Sequence, residues 1–160
     1  MSRAFVTEGD GDVVLPERAV SLHPNFVTAN GLAQIEERVR ALEAVRSAAR
    51  EAARDGAAAQ DAAALAAIER DLRYWMQRKA SARLVTPAPD PQVVRFGVAV
   101  TLHDTEGATR VLRIVGEDEA DPAHGLISWV SPAAEALIGA RVADEVTVAG
   151  QRYEIGLLAP

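Results

Sequence analysis

Two segments of this 160-residue chain carry apolar seams that mirror each other, and this symmetry constrains the fold more than any other feature. In both segments, apolar side chains recur at alternating spacings of three and four residues, a pattern typical of a coiled-coil seam. When the segments are paired antiparallel about residue 57, the seam pairs are Leu32 with Ala82, Ile35 with Lys79, Val39 with Trp75, Leu42 with Leu72, Arg46 with Ile68, and Ala49 with Leu65. The fold-back point lies beside Asp55-Gly56, a residue pair that favours turns. We therefore predict a helical hairpin over residues 27–86 with its tip near 55–58, rather than one long alanine-rich helix.

Three further segments surround this hairpin. Residues 1–26 contain glycines and prolines and are predicted to be extended, while residues 87–91 form a proline-rich linker. Residues 92–160 alternate between apolar strands and turns, with one short helix that Ser131 would cap. The predicted fold class is α+β: an antiparallel coiled-coil hairpin followed by a small antiparallel sheet domain with one short helix.

The composition restricts the classes of function. The chain is 49% hydrophobic and 25% charged, as a globular protein is, and its net charge of −6 argues against a dedicated nucleic-acid binder. It contains no cysteine, and His23, His103 and His124 lack the spacing of metal ligands. Neither a signal peptide nor a membrane-spanning run is evident, so we expect a soluble cytoplasmic protein. No phosphate-binding glycine motif or nucleophile elbow points to a self-contained enzyme.

Three charged clusters allow more than one interpretation. The acidic run 116–122 is either a cation site or a solvated loop that faces a partner. The basic and aromatic run 70–83 either contacts phosphates or combines seam residues with a solvated face. At the predicted tip, Glu51, Asp55 and Asp61 could deliver carboxylates into the active site of another protein. Alternatively, Asp55 shapes the turn and the other two are ordinary surface residues.

Several longer motifs are those of a known family. They are FGVAVTL at 96–102, RIVGEDEADP at 113–122, GLISWVSPAAEALIG at 125–139 and YEI at 153–155. With these motifs, the C-terminal half resembles the GreA/GreB family of bacterial transcription elongation factors, and NFVTANGL and SARLV resemble the ends of that family's hairpin. The resemblance covers roughly residues 26–158 and implies a coiled-coil hairpin followed by an FKBP-like domain. The residues before Phe26 resemble a proteobacterial branch of the family with an N-terminal extension.

The resemblance also implies a function. Such a factor binds bacterial RNA polymerase at the rim of its secondary channel through the globular domain and threads its hairpin down the channel. It promotes hydrolysis of a backtracked transcript by the polymerase's own active site, so it is not itself an enzyme. It would have no cofactor of its own, although Mg²⁺ shared with the polymerase is expected. It would reach the 3′ end of the nascent RNA only indirectly, with no membrane partner and no small-molecule substrate.

Site residues follow from the same resemblance. Alignment back from SARLV places Asp55 at the glutamate of the family's acidic tip signature, so Asp55 is the candidate catalytic and Mg²⁺-binding residue. Glu51 and Asp61 are nearby catalytic candidates at the tip. Ser131 and Pro132 match the family's Ser-Pro element and, together with Asp121, are expected to contact RNA polymerase.

The tip departs from the family pattern, and this keeps an alternative open. The Asp-Leu-Ser-Glu-Asn signature is absent, and Ala52 stands at the position of its aspartate. The hairpin is also shorter by about ten residues, which reduces its reach by roughly 7 Å. The alternative is a polymerase-binding regulator that does not stimulate cleavage, as in Rnk-type proteins. A prolyl isomerase or chaperone is disfavoured because only Phe96, Trp129 and Tyr153 supply aromatic rings after the linker.

Overall fold

A helical hairpin forms the N-terminal half of the chain. The structure, a computed structural model, describes residues 15–54 and 59–160, excluding the side chains of residues 59–61. Helix α1 spans Ala29–Arg54 and helix α2 spans Ala59–Ser81. Lys79, near the end of α2, pairs with Glu36, near the start of α1, at 3.6 Å. Arg50, near the end of α1, pairs with Glu69 in the first half of α2 at 2.5 Å. The two helices therefore run antiparallel. The predicted helical hairpin is confirmed, and the residues of its predicted tip, 55–58, lie outside the described part.

The seam of the hairpin is buried mainly near its base. Ile35, Val39 and Leu72 are buried as the periodicity predicts. The prediction that Lys79 belongs to the seam is wrong, because Arg78 is only 2% exposed whereas Lys79 lies at the surface. Arg78 is drawn inward by an acidic loop of the sheet domain, which a helical period cannot anticipate. The buried residues of α1 all lie in its first half. In its second half, the side chains that face α2 are only partly buried.

Five strands form the main sheet of the C-terminal half. They are β3 (Ala99–Asp104), β4 (Thr109–Val115), β5 (Leu126–Ser128), β6 (Glu145–Val148) and β7 (Gln151–Ala159), in the spatial order β5-β4-β3-β7-β6. The α+β class is confirmed, but the sheet is mixed rather than wholly antiparallel, because β5 runs parallel to β4. The connection between them contains the acidic run and a 3₁₀ turn at Pro122–His124, and it is long enough to return the chain to the same end of the sheet.

Local sequence signals place the remaining elements of this domain. Helix α3 spans Pro132–Leu137, and the Ser131 hydroxyl accepts a hydrogen bond from the backbone N–H of Ala134 at 3.2 Å, as expected of an N-cap. The last hairpin turns at Ala149 and Gly150, which both have positive φ, as in a type I′ turn. Ala134 and Leu137 of α3 pack into an aliphatic core formed by the sheet.

A two-stranded ribbon closes the base of the hairpin. Strand β1 (Phe26–Val27) pairs in parallel with β2 (Arg83–Leu84), so the chain entering α1 lies beside the chain leaving α2. Thr28 then caps α1, because its hydroxyl accepts from the backbone N–H of Gly31 at 2.9 Å. The ribbon places the start of the hairpin directly against the acidic loop of the sheet domain.

Candidate functional site

The distal end of the hairpin holds the three carboxylates predicted to be catalytic. Asp55 and the side chain of Asp61 lie outside the described residues. Glu51 is exposed near the end of α1 and borders a cleft of about 220 Å³. The other residues that line this cleft are Arg46, Ser47, Arg50 and Arg54. Because its charged neighbours there are arginines, Glu51 is placed in surroundings that disfavour a cation.

The three residues predicted to contact polymerase lie at opposite ends of β5. Asp121 forms backbone hydrogen bonds with Leu126 at the start of the strand. Its carboxylate accepts from His124 at 2.6 Å, and this hydrogen bond holds the pKa of Asp121 below its ordinary value. Ser131 follows the other end of the strand, where its hydroxyl is engaged in capping α3 and Pro132 occupies the first helical position. Asp121 therefore does not form a single side-chain cluster with Ser131 and Pro132.

The acidic loop docks on the hairpin, so it is not the solvated loop considered from the sequence. Asp118 accepts hydrogen bonds from the Tyr74 hydroxyl at 2.6 Å and from Nε of the buried Arg78. Burial, together with the hydrogen bond to Asp118, raises the pKa of Tyr74 to about 12. Glu117 lies 3.9 Å from the same guanidinium group. These contacts join the C-terminal part of α2 to the connection between β4 and β5.

Glu119 makes a second junction with the start of α1. It is 8% exposed, and its two carboxylate oxygens accept from the Thr28 hydroxyl at 2.6 Å and from the Asn30 side-chain amide at 2.9 Å. Gly31 leaves room for this carboxylate, since a Cβ at that position would lie 2.6 Å from Glu119 Oε2. Asp118 and Glu119 thus hold the hairpin on the sheet domain at two points, and we call this pair of contacts the acidic latch.

The carboxylates of Asp118 and Glu119 are engaged in contacts with the hairpin. Within residues 15–54 and 59–160, the structure forms no group of three or more histidine, cysteine, aspartate or glutamate side chains that could hold a metal. In the same ranges, no helix is long and apolar enough to cross a membrane.

Two of the three aromatic residues after the linker, Phe96 and Trp129, contact the ring of Phe26 from the hairpin base, whereas Tyr153 lies apart from them. Tyr153 is buried in the sheet core, whereas Trp129 packs at 5.1 Å against the ring of Phe26 from the hairpin base. Phe96 borders an apolar cleft of about 680 Å³ beside the linker, together with Phe26 and Ile138. Of the three aromatic residues after the linker, only Phe96 lines this cleft.

Comparison with known proteins identifies the family. The model described as "Transcription elongation factor, GreA/GreB, C-term" matches residues 88–156. The transcription elongation factor GreB of Xanthomonas axonopodis pv. citri is 41% identical over 116 residues, covering 68% of this chain and 68% of that protein. The chain belongs to the GreA/GreB family. The match to GreB of Yersinia pestis is 43% identical over 82 residues and covers 51% of this chain and 48% of that protein.

The chain spans about half the length of several curated GreA/GreB relatives that it matches. The family model likewise covers the sheet domain and not the two hairpin helices. Among solved structures, GreA factor homolog 1 of Thermus thermophilus is 15% identical, with a TM-score of 0.41, over 86% of this chain and 100% of that one.

Sequence reasoning missed the acidic latch, although part of its signal was present. The family motif contains GEDEADP, but the sequence predicts only a cation site or a solvated loop for its carboxylates. The basic run 70–83 offered several arginines as partners for these carboxylates, but nothing in the sequence singles out Arg78 as the buried one. The partner itself could be found only from the three-dimensional arrangement.

Proposed function

We propose that this GreA/GreB family member binds bacterial RNA polymerase through its sheet domain at the secondary channel and promotes transcript cleavage. The hairpin would extend through the channel toward the polymerase active site, which would hydrolyse the 3′ end of a backtracked RNA. The protein would act as a cofactor of that hydrolysis and not as a hydrolase. It would reach the 3′ end of the nascent RNA only indirectly, through the polymerase.

The observation that carries this proposal is the projecting hairpin held by the acidic latch. Helix α1 has 26 residues, which corresponds to a length of about 39 Å. Its base is fixed by the buried Arg78 and by Glu119, so binding of the sheet domain to a partner would determine the direction of the arm. A fixed arm of this length is suited to placing groups at a distance from the docking surface.

Asp55 is the residue proposed to act at the polymerase active site. One or two carboxylates with water and partner groups are a common way to hold Mg²⁺. Asp55 would share such an ion with the polymerase, and Asp61 would assist it. Glu51 fits this role less well, because the other charged residues that line its cleft are arginines. The ion would stabilise the charge that develops as water attacks the phosphodiester bond.

Cleavage of RNA in backtracked elongation complexes tests the proposal directly. With Mg²⁺, the wild-type protein is expected to shorten the RNA faster than polymerase alone. Asp55→Ala should reduce this stimulation by on the order of a hundredfold, and Asp61→Ala by less. Glu43→Ala provides a matched control, because Glu43 is an exposed carboxylate on α1 nearer the base. Equal activity of Asp55→Ala and wild type would exclude the assigned role.

The proposed docking surface requires a separate variant that keeps the fold. Ser131→Asn preserves a good N-cap while changing the shape of the proposed contact. We expect this variant and Asp121→Ala to bind polymerase more weakly than Glu106→Ala, which alters an exposed turn in the β3–β4 hairpin. Equal binding by all three variants would place the polymerase contact elsewhere on the sheet domain.

A polymerase-binding regulator without cleavage stimulation is the second candidate. It is supported by the described distal part of α1, where Arg46, Arg50 and Arg54 line the same cleft as Glu51. This candidate predicts competition with a cleavage-active Gre factor for polymerase and no change in RNA length. The cleavage assay and a binding competition together separate the two candidates.

A further inference from the structure

The segment before the hairpin lies along α2, and we call its residues 15–25 the N-terminal strap. Glu17 accepts two hydrogen bonds from Arg73, from Nε at 2.9 Å and from a terminal nitrogen at 2.6 Å. The guanidinium carbon of Arg18 lies 3.8 Å from the centre of the Tyr74 ring. A second interaction of Arg18 is an ion pair at 3.7 Å with Asp71. The first part of the strap is therefore attached to the middle of α2.

The second part of the strap reaches the sheet domain. The His23 ring meets the Trp129 ring edge-on with a centroid distance of 6.0 Å, and its Nδ1 lies 3.7 Å from Glu117. Asn25 is 5% exposed and donates from its side-chain amide to the backbone carbonyl of Arg78 at 2.7 Å. The strap thus contacts both the hairpin and the sheet domain, and it does so across the acidic latch.

Tyr74 connects the strap to the latch. One face of its ring is covered by Arg18, and its hydroxyl donates to Asp118 at 2.6 Å. A cation stacked over an aromatic ring restrains the position of that ring. Glu17 holds Arg73, the residue before Tyr74, through a two-point contact. Removal of the strap would therefore free Tyr74 and loosen its hold on Asp118.

We propose that Glu17 and Arg18 are positioning residues that fix the direction of the hairpin relative to the sheet domain. The inference stands on contacts within this chain and goes beyond the proposed function. The length of the arm amplifies any change at its base, because a tilt of about 10° moves the end of a helix this long by roughly 7 Å. If the hairpin acts on a polymerase active site, such a displacement would be large compared with the precision that catalysis requires.

Distance measurements between spin labels test the proposal without any partner. The chain contains no cysteine, so Val45→Cys on α1 and Val111→Cys on β4 would provide two unique labelling sites, both at exposed positions. In this background, we expect a narrow distribution of distances between the labels. Glu17→Ala combined with Arg18→Ala should broaden the distribution and shift its mean. An unchanged distribution would overturn the proposal.

A charge exchange separates positioning from a general loss of structure. Arg73→Glu should broaden the distribution because it places two carboxylates in contact with each other. Adding Glu17→Arg should restore the narrow distribution, since the pair is re-formed with its charges exchanged. The single variants Arg73→Glu and Glu17→Arg should each broaden the distribution. If the double variant were broadened as well, Arg73 would act independently of Glu17, and this would contradict the assignment.

Two further measurements complete the test. Arg40→Ala is the matched control, because the ion pair of Arg40 with Glu37 is about as exposed as that of Arg73 with Glu17 but lies within α1 alone, so its loss should leave the distribution unchanged. In a Trp129→Phe background, Arg18→Ala should shift the emission of Trp75, whose ring centre lies 5.7 Å from the Arg18 guanidinium carbon. These readouts need no polymerase. A negative cleavage assay would therefore leave this inference standing, and an unchanged distance distribution would leave the proposed function standing.

Discussion

Arg78 brings a full positive charge into the interface between the hairpin and the sheet domain. Its side chain is 2% exposed, and its partner Asp118 is 13% exposed. Arg78→Met keeps much of the apolar volume but leaves Asp118 partly buried without its guanidinium partner. Removal of one member of a buried ion pair costs about 3–5 kcal/mol, and we expect a loss of this size in the free energy of unfolding. Urea unfolding would measure it as a lower midpoint with an unchanged slope.

Lys79→Met is the matched control at the residue scale. Lys79 is the neighbouring residue, but its side chain is 48% exposed and lies 3.6 Å from Glu36. Exposed ion pairs contribute little, so this substitution should change the free energy of unfolding by less than about 0.5 kcal/mol. A loss as large as that of Arg78→Met would show that burial does not distinguish the two positions. The sequence period instead predicts that Lys79 is buried in the seam, because the period gives the face of the helix but not the neighbouring segments that pack on it.

At the scale of elements, the start of α1 is fitted to the acidic latch through Gly31. Alanine normally stabilises a helix interior relative to glycine by about 0.5–1 kcal/mol. Here the added methyl group would lie 2.6 Å from Glu119 Oε2, which Thr28 and Asn30 hold in place. We therefore expect Gly31→Ala to destabilise the protein despite its better helix propensity. Chemical denaturation would measure the change in the free energy of unfolding.

A second substitution tests whether the Glu119 carboxylate is the cause. In a Glu119→Ala background, the steric conflict is absent, so Gly31→Ala should stabilise the protein by the helix-propensity gain of about 0.5–1 kcal/mol. The sign of the Gly31→Ala effect is thus expected to reverse between the two backgrounds. If the sign stayed the same, the contact between α1 and the loop would not account for the requirement for glycine.

Elements defined by local chemistry could be predicted, whereas those defined by distant contacts could not. The two hairpin helices followed from their periodicity, and α3 followed from its cap at Ser131 and from Pro132. The parallel pairing of β5 and the β1–β2 ribbon depend on where remote segments meet, for which short-range patterns carry no signal. The candidate site also combines local and distant contacts. Ser131 could be predicted as a helix cap from the adjacent residues, whereas the contact of Asp118 with Arg78 could not be predicted.

At the scale of the whole molecule, the hairpin depends on the sheet domain for its stability. The sheet domain has an aliphatic core of its own, whereas the buried residues of α1 are Gly31, Ile35 and Val39, all near the junction. Two helices with so few buried contacts are marginal alone. We therefore expect the wild-type protein to unfold in one transition, because the acidic latch couples the two parts.

Removal of the latch should divide this transition in two. In Asp118→Ala combined with Glu119→Ala, the helical signal in far-UV circular dichroism should be lost at a lower temperature than the amide NMR signals of β3 and β7. The helical signal reports mainly on α1 and α2, since α3 has only six residues. The matched control is Glu106→Ala combined with Glu135→Ala, which removes two exposed carboxylates of the sheet domain. If the latch variant still unfolded in one coincident transition, other contacts at the hairpin base would be sufficient to couple the two parts.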